Sequence, residues 1–398
     1  MLAAAAVPLA APGIELVPGA AESAPGWLLG IYGDGLGVGG GAYLAALIVA
    51  LLAYVGVFVA APALDGRLVW GAILVGVAAF ALAPPLLSLD VFSYIAYARL
   101  GAEHGLNPYD AVPADLAGDP AASRVEDFRF AVSVYGPLFT LGTYPLGLVG
   151  VPVALWTLKA VSAAAVVALA AVTAWLGKVR GVDPLRCAAF VALNPLVLVH
   201  VVGGPHNDGL MALAVVGGVA AIVAGLDAAG GVAIVFGAAV KASGAIVAPF
   251  AFLGAARRGR LLIGAAVAAL AAGVITLAVF GFEAFEALGE LGENQETISD
   301  YGVPASLARW TGIDPDVVRV GLGVAFAAAL AWLIVWVARG GDWVRGAAWA
   351  TAGLLVASAW LVPWYVIWAL PLAAVARDRA LVALVLALCA LQLPSAIP

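Results

Sequence analysis

Leu87–Asp110 reads LSLDVFSYIAYARLGAEHGLNPYD, and Asp90 is its first charged residue after the long apolar run at 68–87. The carboxylate therefore stands where an apolar layer ends. On a helix starting at Asp90, Tyr94 and Tyr97 lie on the same side as the acid, at steps of four and three. Asn107-Pro108-Tyr109 then stops the helix. A carboxylate beside aromatic rings at a bilayer surface suits work on a sugar carried by a lipid. The plain alternative is that Asp90 only caps the helix it begins, as Asp often does.

Working outward, the composition decides the class. Of 398 residues, 65% are hydrophobic and 11% charged, against about 25% charged in a soluble domain. This is a polytopic membrane protein. Cys187 and Cys389 both sit in apolar runs far apart in sequence, which suggests neither a disulfide framework nor a thiolate metal site. No nucleic-acid signature and no cofactor motif appears; a divalent metal is left open but not indicated. The opening MLAAAAVPLAAPG lacks a basic n-region and is interrupted by proline, so it makes a poor signal peptide.

A spanning helix needs about 20 apolar residues. Such runs lie near 41–63, 68–87, 151–176, 186–204, 208–226, 261–281, 316–338 and 345–362, with shorter ones at 364–376 and 380–397. Lys and Arg concentrate in short cytoplasmic loops. Placing the loops with Arg67, with Lys178, Arg180 and Arg186, with Arg339 and Arg345, and with Arg377 and Arg379 inside lets the runs alternate. The stretch 231–254 resists, because a single crossing would put Arg257, Arg258 and Arg260 outside. It is expected to enter, turn near Lys241-Ala242-Ser243-Gly244 and return, with the turn buried in protein or lining a wet cavity.

The expected architecture is all-α: about ten full or short transmembrane helices, a re-entrant hairpin and outer-face loop helices. Residues 1–40 form an N-terminal tail placed outside, and 41–398 one membrane domain with long outer loops at 88–150 and 282–315. In the first loop VYGPLFTLGTYPLG, broken by Gly and Pro, is expected to lie on or partly in the surface. In the second, Phe282, Phe285 and Leu288 are spaced as one face of an amphipathic helix, and the loop could close over a cavity.

Polar groups at membrane depth are expensive and so informative. Four clusters fall on the outer side. Asp90 comes with its aromatic helix and with Asn107 and Tyr109. His200, His206, Asn207 and Asp208 meet in VHVVGGPHNDGLM, where Asn207 and Asp208 could equally cap the next helix and His200 could be a packed core histidine. Lys159 could snorkel to the headgroups, whereas Lys241 at a turn has no such exit and is better explained by a bound anion. Trp360, Pro363, Trp364 and Tyr365 mark a span breaking at a proline; they suit an aromatic belt or a sugar platform.

The pieces DVFSYIAYARL and GLNPYD within 90–110, VYGPLF at 134–139, NPLVLVHVVGGPHNDGLM at 194–211, AAVKASGAIVAPF at 238–250 and VPWYVIWALPL at 362–372 resemble the GT-C integral-membrane glycosyltransferases. Among them they are most similar to the actinobacterial polyprenol-phosphomannose-dependent alpha-1,6-mannosyltransferases, which extend lipomannan-type glycans. The family's additional N-terminal span has no clear counterpart here. The resemblance implies an inverting transfer of mannose from a polyprenyl-phosphate donor to a glycan or glycolipid acceptor, at the outer face of the plasma membrane. It implies Asp90 as catalytic base, with Asp208 as rival, and Lys241, Lys159 or His206 at the donor phosphate. Tyr94, Asn107, Tyr109, Tyr135, Asn207, Asp208, Trp364 and Tyr365 would hold acceptor or sugar. A flippase of lipid-linked sugars could use the same cavity without a base, but it needs access from both sides, and these clusters share one face.

Overall fold

The computed structural model describes residues 26–32, 40–125, 128–294 and 297–394, and they form helices joined by turns, with no strand among them. The tail expected over 1–40 thus lies mostly outside the described residues. The chain runs through α1 (Gly40–Ala60), α2 (Gly66–Ala81), α3 (Asp90–Ala102), α4 (Pro137–Gly147), α5 (Val151–Val179) and α6 (Pro184–Ala192). A π-helical segment, Val197–Gly203, leads to α7 (Asp208–Val223) and α8 (Asp227–Val240). Then come α9 (Ala248–Gly254), α10 (Arg258–Phe280), α11 (Glu283–Asn294), α12 (Val303–Thr311), α13 (Pro315–Ala338) and α14 (Trp343–Ala357). A tight helical turn, Pro363–Trp368, precedes α15 (Leu370–Val375) and α16 (Arg379–Leu391).

Among the described residues four helices are long and apolar enough to cross a membrane: Gly41–Ala63, Val151–Val179, Arg258–Phe280 and Pro315–Ala338. A fifth arises if α6 and the π-helical segment, bent by 64°, count as one span. The remaining runs do fold as helices, but shorter ones. Run 68–87 ends as helix at Ala81, ahead of Pro84-Pro85, which cannot continue the ladder. Run 186–204 breaks at Asn194-Pro195, where Asn194 Oδ1 accepts from the amides of Leu196 and Val197.

One end of the bundle gathers the basic loops. Arg186 Nε donates to Phe58 O at 3.1 Å, Arg180 pairs with Asp342 and donates to Val375 O, and Arg345 Nη2 meets Asp378 at 2.6 Å. Several helices start there on an aspartate whose side chain accepts first-turn amides: Asp65, Asp183, Asp342 and Asp378. The segment 227–257 leaves this end and returns to it. Arg257 N donates to Asp227 Oδ2 at 3.1 Å and Arg257 Nη2 to Gly225 O at 3.1 Å, so the foot of α8 and the chain after α9 are side by side. Lys241 sits at the apex in extended backbone (φ −156°), and Gly136 N from the far-end loop donates to the neighbouring Val240 O.

The far end holds the long loops, and two expectations gain detail there. Within VYGPLFTLGTYPLG, Pro137–Gly147 forms a helix, α4, that buries Phe139, Thr140, Thr143 and Gly147 and packs along α3. A Cβ on Gly147 would come within 2.5 Å of Ala98 O, so only glycine allows that approach. Helix α11 forms as expected, but among its described side chains the buried ones are Ala284 and Ala287, packed with Tyr109 and Phe280. Phe282 and Phe285 stay 72% and 45% exposed, and the side chain of Leu288 lies outside the described residues. The following loop is pinned rather than free: Ser299 Oγ donates to Leu361 O, and Gln392 Nε2 donates to Tyr301 O.

Candidate active site

Asp90 and Asp208 both stand in the first turn of a helix, yet neither caps it. The residues ahead of them, Leu89 and Asn207, make no side-chain cap either. In this chain capping aspartates sit one residue earlier and reach back to first-turn amides, so the plain reading fails for this pair. Asp90 instead points Oδ2 at His206 Nε2, 3.5 Å away. His206 is fully enclosed: its Nδ1 lies 2.7 Å from His200 O and its Nε2 3.1 Å from Ser88 Oγ. A carbonyl only accepts, so Nδ1 carries the proton in that bond. Nε2 is then free to accept from Ser88, or, once protonated, to face the Asp90 carboxylate. The imidazole stacks on Trp364 at 3.8 Å between centroids.

Asp208 has a different setting. It is completely buried, and its carboxylate takes Lys241 Nζ at 2.8 and 3.0 Å and Trp368 Nε1 at 2.6 Å. Lys241 Nζ also lies 4.4 Å from the Tyr365 ring centroid and 5.4 Å from that of Trp368, both favourable for a cation. The anion expected beside Lys241 is therefore, in the first instance, the chain's own Asp208. The Lys241 side chain keeps 21% of its surface exposed. Asp90 is close enough to interact electrostatically with both Lys241 and Tyr365.

Tyr94 completes the wall. Its ring packs edge-on to Tyr135 at 4.7 Å and Phe139 at 4.8 Å, and its hydroxyl accepts from Asn207 N at 3.4 Å. The Asn207 side chain is 2% exposed, and neither its Nδ2 nor its Oδ1 has a hydrogen-bond partner. Leaving a buried amide unpaired costs about 1–3 kcal/mol.

Of the residues singled out by sequence, Asp90, Tyr94, Tyr135, His206, Asn207, Asp208, Lys241, Trp364 and Tyr365 converge. Asn107, Tyr109 and Lys159 do not join them. Asn107 Nδ2 donates to Phe280 O at 2.8 Å, tying α3's exit to α10. Tyr109 donates to Tyr135 O at 2.6 Å, so it braces the wall from behind. Lys159 neither snorkels nor reaches the cleft: it is fully buried, with Nζ on the carbonyls of Gly203, Val202 and Pro84. Sequence reading missed Ser88 and Trp368. Trp368 was in view, one helical turn beyond Trp364 in PWYVIW; Ser88 carried no signal beyond its closeness to Asp90.

Outside the cleft, Glu103, His104 and Asp119 place ligand atoms within 4.8 Å of one another. Arg99 already fills that space, 2.6 Å from both Glu103 and Asp119. Burial alone would raise the Asp119 carboxyl, but the amides of Ala122 and Ala121 and the Arg99 guanidinium outweigh it and hold it below the usual value.

The family profile described as "Alpha-(1->6)-mannopyranosyltransferase, N-terminal domain" matches residues 2–257, more than half of the chain. The chain belongs to this family. The matched region carries α3, the His206–Asp208 junction and the Lys241 apex, but not Trp364, Tyr365 or Trp368. An alpha-(1->6)-mannopyranosyltransferase A of Mycobacterium tuberculosis is 33% identical over 176 residues, 42% of this chain and 33% of that protein. The enzyme of the same name from Corynebacterium glutamicum is 30% identical over 173 residues, 42% of this chain and 35% of that protein. A probable alpha-(1->6)-mannopyranosyltransferase of Mycolicibacterium smegmatis is 32% identical over 158 residues, 37% of this chain and 27% of that protein. The matches thus span about a third or less of the length of these relatives.

Proposed function

We propose that this chain is an inverting alpha-1,6-mannosyltransferase of the GT-C type. It moves mannose from a polyprenyl-phosphate donor to a glycan or glycolipid acceptor, with its cleft at the outer face of the plasma membrane. The observation that carries the reading is the separation of the two acids. Asp208 is committed to Lys241 and Trp368, while the Asp90 carboxylate keeps 16% of its side chain exposed and has His206 Nε2 at 3.5 Å as its ion-pair neighbour.

Asp90 accepts the proton of the acceptor hydroxyl as that oxygen attacks the anomeric carbon, a role that needs hydrogen-bond reach to the hydroxyl. The bond from that carbon to the phosphate oxygen breaks on the opposite face, so a beta-linked mannosyl phosphate gives an alpha-mannoside. The phosphate departs with one more negative charge than it had as a diester. Lys241, held by Asp208 and two aromatic faces, meets that charge. His206, next to Asp90, receives or shares the proton rather than binding phosphate, because both ring nitrogens face protein groups. Asn207 offers its unpaired amide to a sugar hydroxyl, and Trp364 and Tyr365, their rings at 90° to each other, give the sugar apolar edges to pack against. No cofactor is assigned a part in this scheme.

The test is incubation of the purified protein in detergent with labelled polyprenyl-phosphate mannose and an alpha-1,6-mannan oligosaccharide. Mannose should appear on the acceptor in alpha linkage. A lipid-linked-sugar flippase would leave the donor intact under these conditions, and that result would remove the proposal.

A further inference from the structure

Two loops bring Asp90 and His206 together, and neither is held by regular structure. The first is Pro84–Leu89, between α2 and α3. The second is Gly203–Asn207, between the π-helical segment and α7. Leu87 has a left-handed backbone (φ 58°), a conformation that costs a non-glycine residue energy and persists only where its surroundings enforce it. The two loops touch directly: Leu86 N donates to Gly203 O at 3.3 Å. A Cβ on Gly204 would come within 2.6 Å of Leu86 O, so the approach is tight.

Lys159, from the first third of α5, reaches this crossing from behind. Its Nζ lies 2.6 Å from Gly203 O, 3.4 Å from Val202 O and 3.5 Å from Pro84 O. One side chain thereby spans both loops, with the shortest bond at the foot of the His206 loop and the longest at the foot of the Asp90 loop. One turn along α5, Ser162 Oγ donates to Val201 O, so α5 grips the π-helical segment at successive carbonyls. Val201, Val202 and Gly203 end the π-helical segment, where carbonyls have no partner within the helix itself. A helix terminus alone would be satisfied by any buried donor. Lys159 differs because it also bonds the other loop.

We infer that Lys159 is a positioning residue: its Nζ locks the Pro84–Leu89 and Gly203–Asn207 loops in the register that sets the Asp90–His206 distance. This rests on the transferase reading for its kinetic consequence, but not for its structural one. It also separates Lys159 from the donor phosphate, since a group enclosed by three backbone carbonyls has no phosphate to meet. Displacing reacting groups by about 1 Å can cost roughly 10²-fold in rate, and the loops move by that order if the Nζ is withdrawn.

The experiment compares Lys159→Met, which removes every donor, with Lys159→Gln and Lys159→Arg, which retain some. Transfer kinetics and histidine ring signals are read together, the latter by nitrogen NMR on protein labelled only at histidine. The chain has 3 histidines, His104, His200 and His206, and substitution of His104 and His200 assigns them. In the unaltered protein the His206 proton should reside on Nδ1. In Lys159→Met its signal should broaden or shift toward the other tautomer, with kcat down about 10²-fold and donor KM within about twofold. Lys159→Gln and Lys159→Arg should fall between. Unchanged His206 signals and kcat overturn the inference, as does a rise in donor KM with kcat preserved. If none of the three variants folds, Lys159 serves the fold and not the register, which also overturns it. If the unaltered protein transfers no mannose, the transferase reading fails, and the His206 signals alone still decide the register.

Discussion

Asp90→Asn is expected to separate chemistry from stability. The side chain is mostly enclosed, caps no amide, and has His206 Nε2 at 3.5 Å as its ionic neighbour. Replacing the carboxylate by an amide of equal size leaves packing intact. The stability loss is then limited to the charge at the N-terminus of α3, typically about 0.3–1 kcal/mol. The rate loss is far larger, because an amide cannot take the acceptor proton: general-base catalysis is worth roughly 10²–10⁴-fold, about 3–5 kcal/mol of barrier at 1.36 kcal/mol per decade. Donor binding should survive, since the proposed phosphate partner is Lys241. The assay is single-turnover transfer of labelled mannose with enzyme in excess, beside thermal unfolding in the same detergent. The reasoning is refuted if Asp90→Asn turns over within a few-fold of the unaltered protein. It is equally refuted if the lost rate is matched by loss of the folded protein.

Asp208→Asn should show the opposite balance. It leaves the Lys241 charge without its buried counter-charge, which costs about 3–5 kcal/mol when such a pair is broken, moderated by the partial exposure of Lys241; an unaltered unfolding temperature would show the pair to be idle. Asp119 makes the acid limb of stability pH-dependent. Its folded value is lowered, so its contribution is present above the ordinary carboxylate value and fades as pH falls through the folded one; Asp119→Asn should lose that part of the slope in unfolding scans below about pH 5. For the returning hairpin, a cysteine at Arg257 should resist a membrane-impermeant thiol reagent applied to intact cells, and ready labelling would mean that 227–257 crosses.

The grouping of basic loops was legible in the Lys and Arg bias of the short connections, and the structure joins them through Arg180–Asp342 and Arg345–Asp378. The return was legible for the same reason, over 231–254, since a single crossing would have put Arg257, Arg258 and Arg260 outside; the structure sets Arg257 beside Asp227. Helix lengths were less so: hydropathy registers Pro84-Pro85 and Asn194-Pro195 as interruptions of composition, not as a 64° bend. At the site, residue types pointed to Asp90, Asp208 and Lys241, but their division of labour depended on distances. Lys241 looked like a cation in want of a ligand, and only the fold shows Asp208, 33 positions away, supplying two oxygens. Asn107 and Tyr109 belong to the same motif as Asp90, yet the turn of α3 sends them to Phe280 and Tyr135.

The hairpin that carries Lys241 also works as a ruler. Its feet are fixed against each other at Asp227 and Arg257, so the height of the apex depends only on how many residues each arm contains. Each helical residue adds about 1.5 Å of height and turns the tip by about a quarter to a third of a circle. Deleting one residue from α8 would lower Lys241 slightly and swing it away from Asp208, Tyr365 and Trp368. Deleting a whole turn would keep it facing them from about 5.4 Å deeper. Arm lengths are therefore quantised by the helical repeat, and the depth at which this chain offers its lysine can change only in steps of one turn.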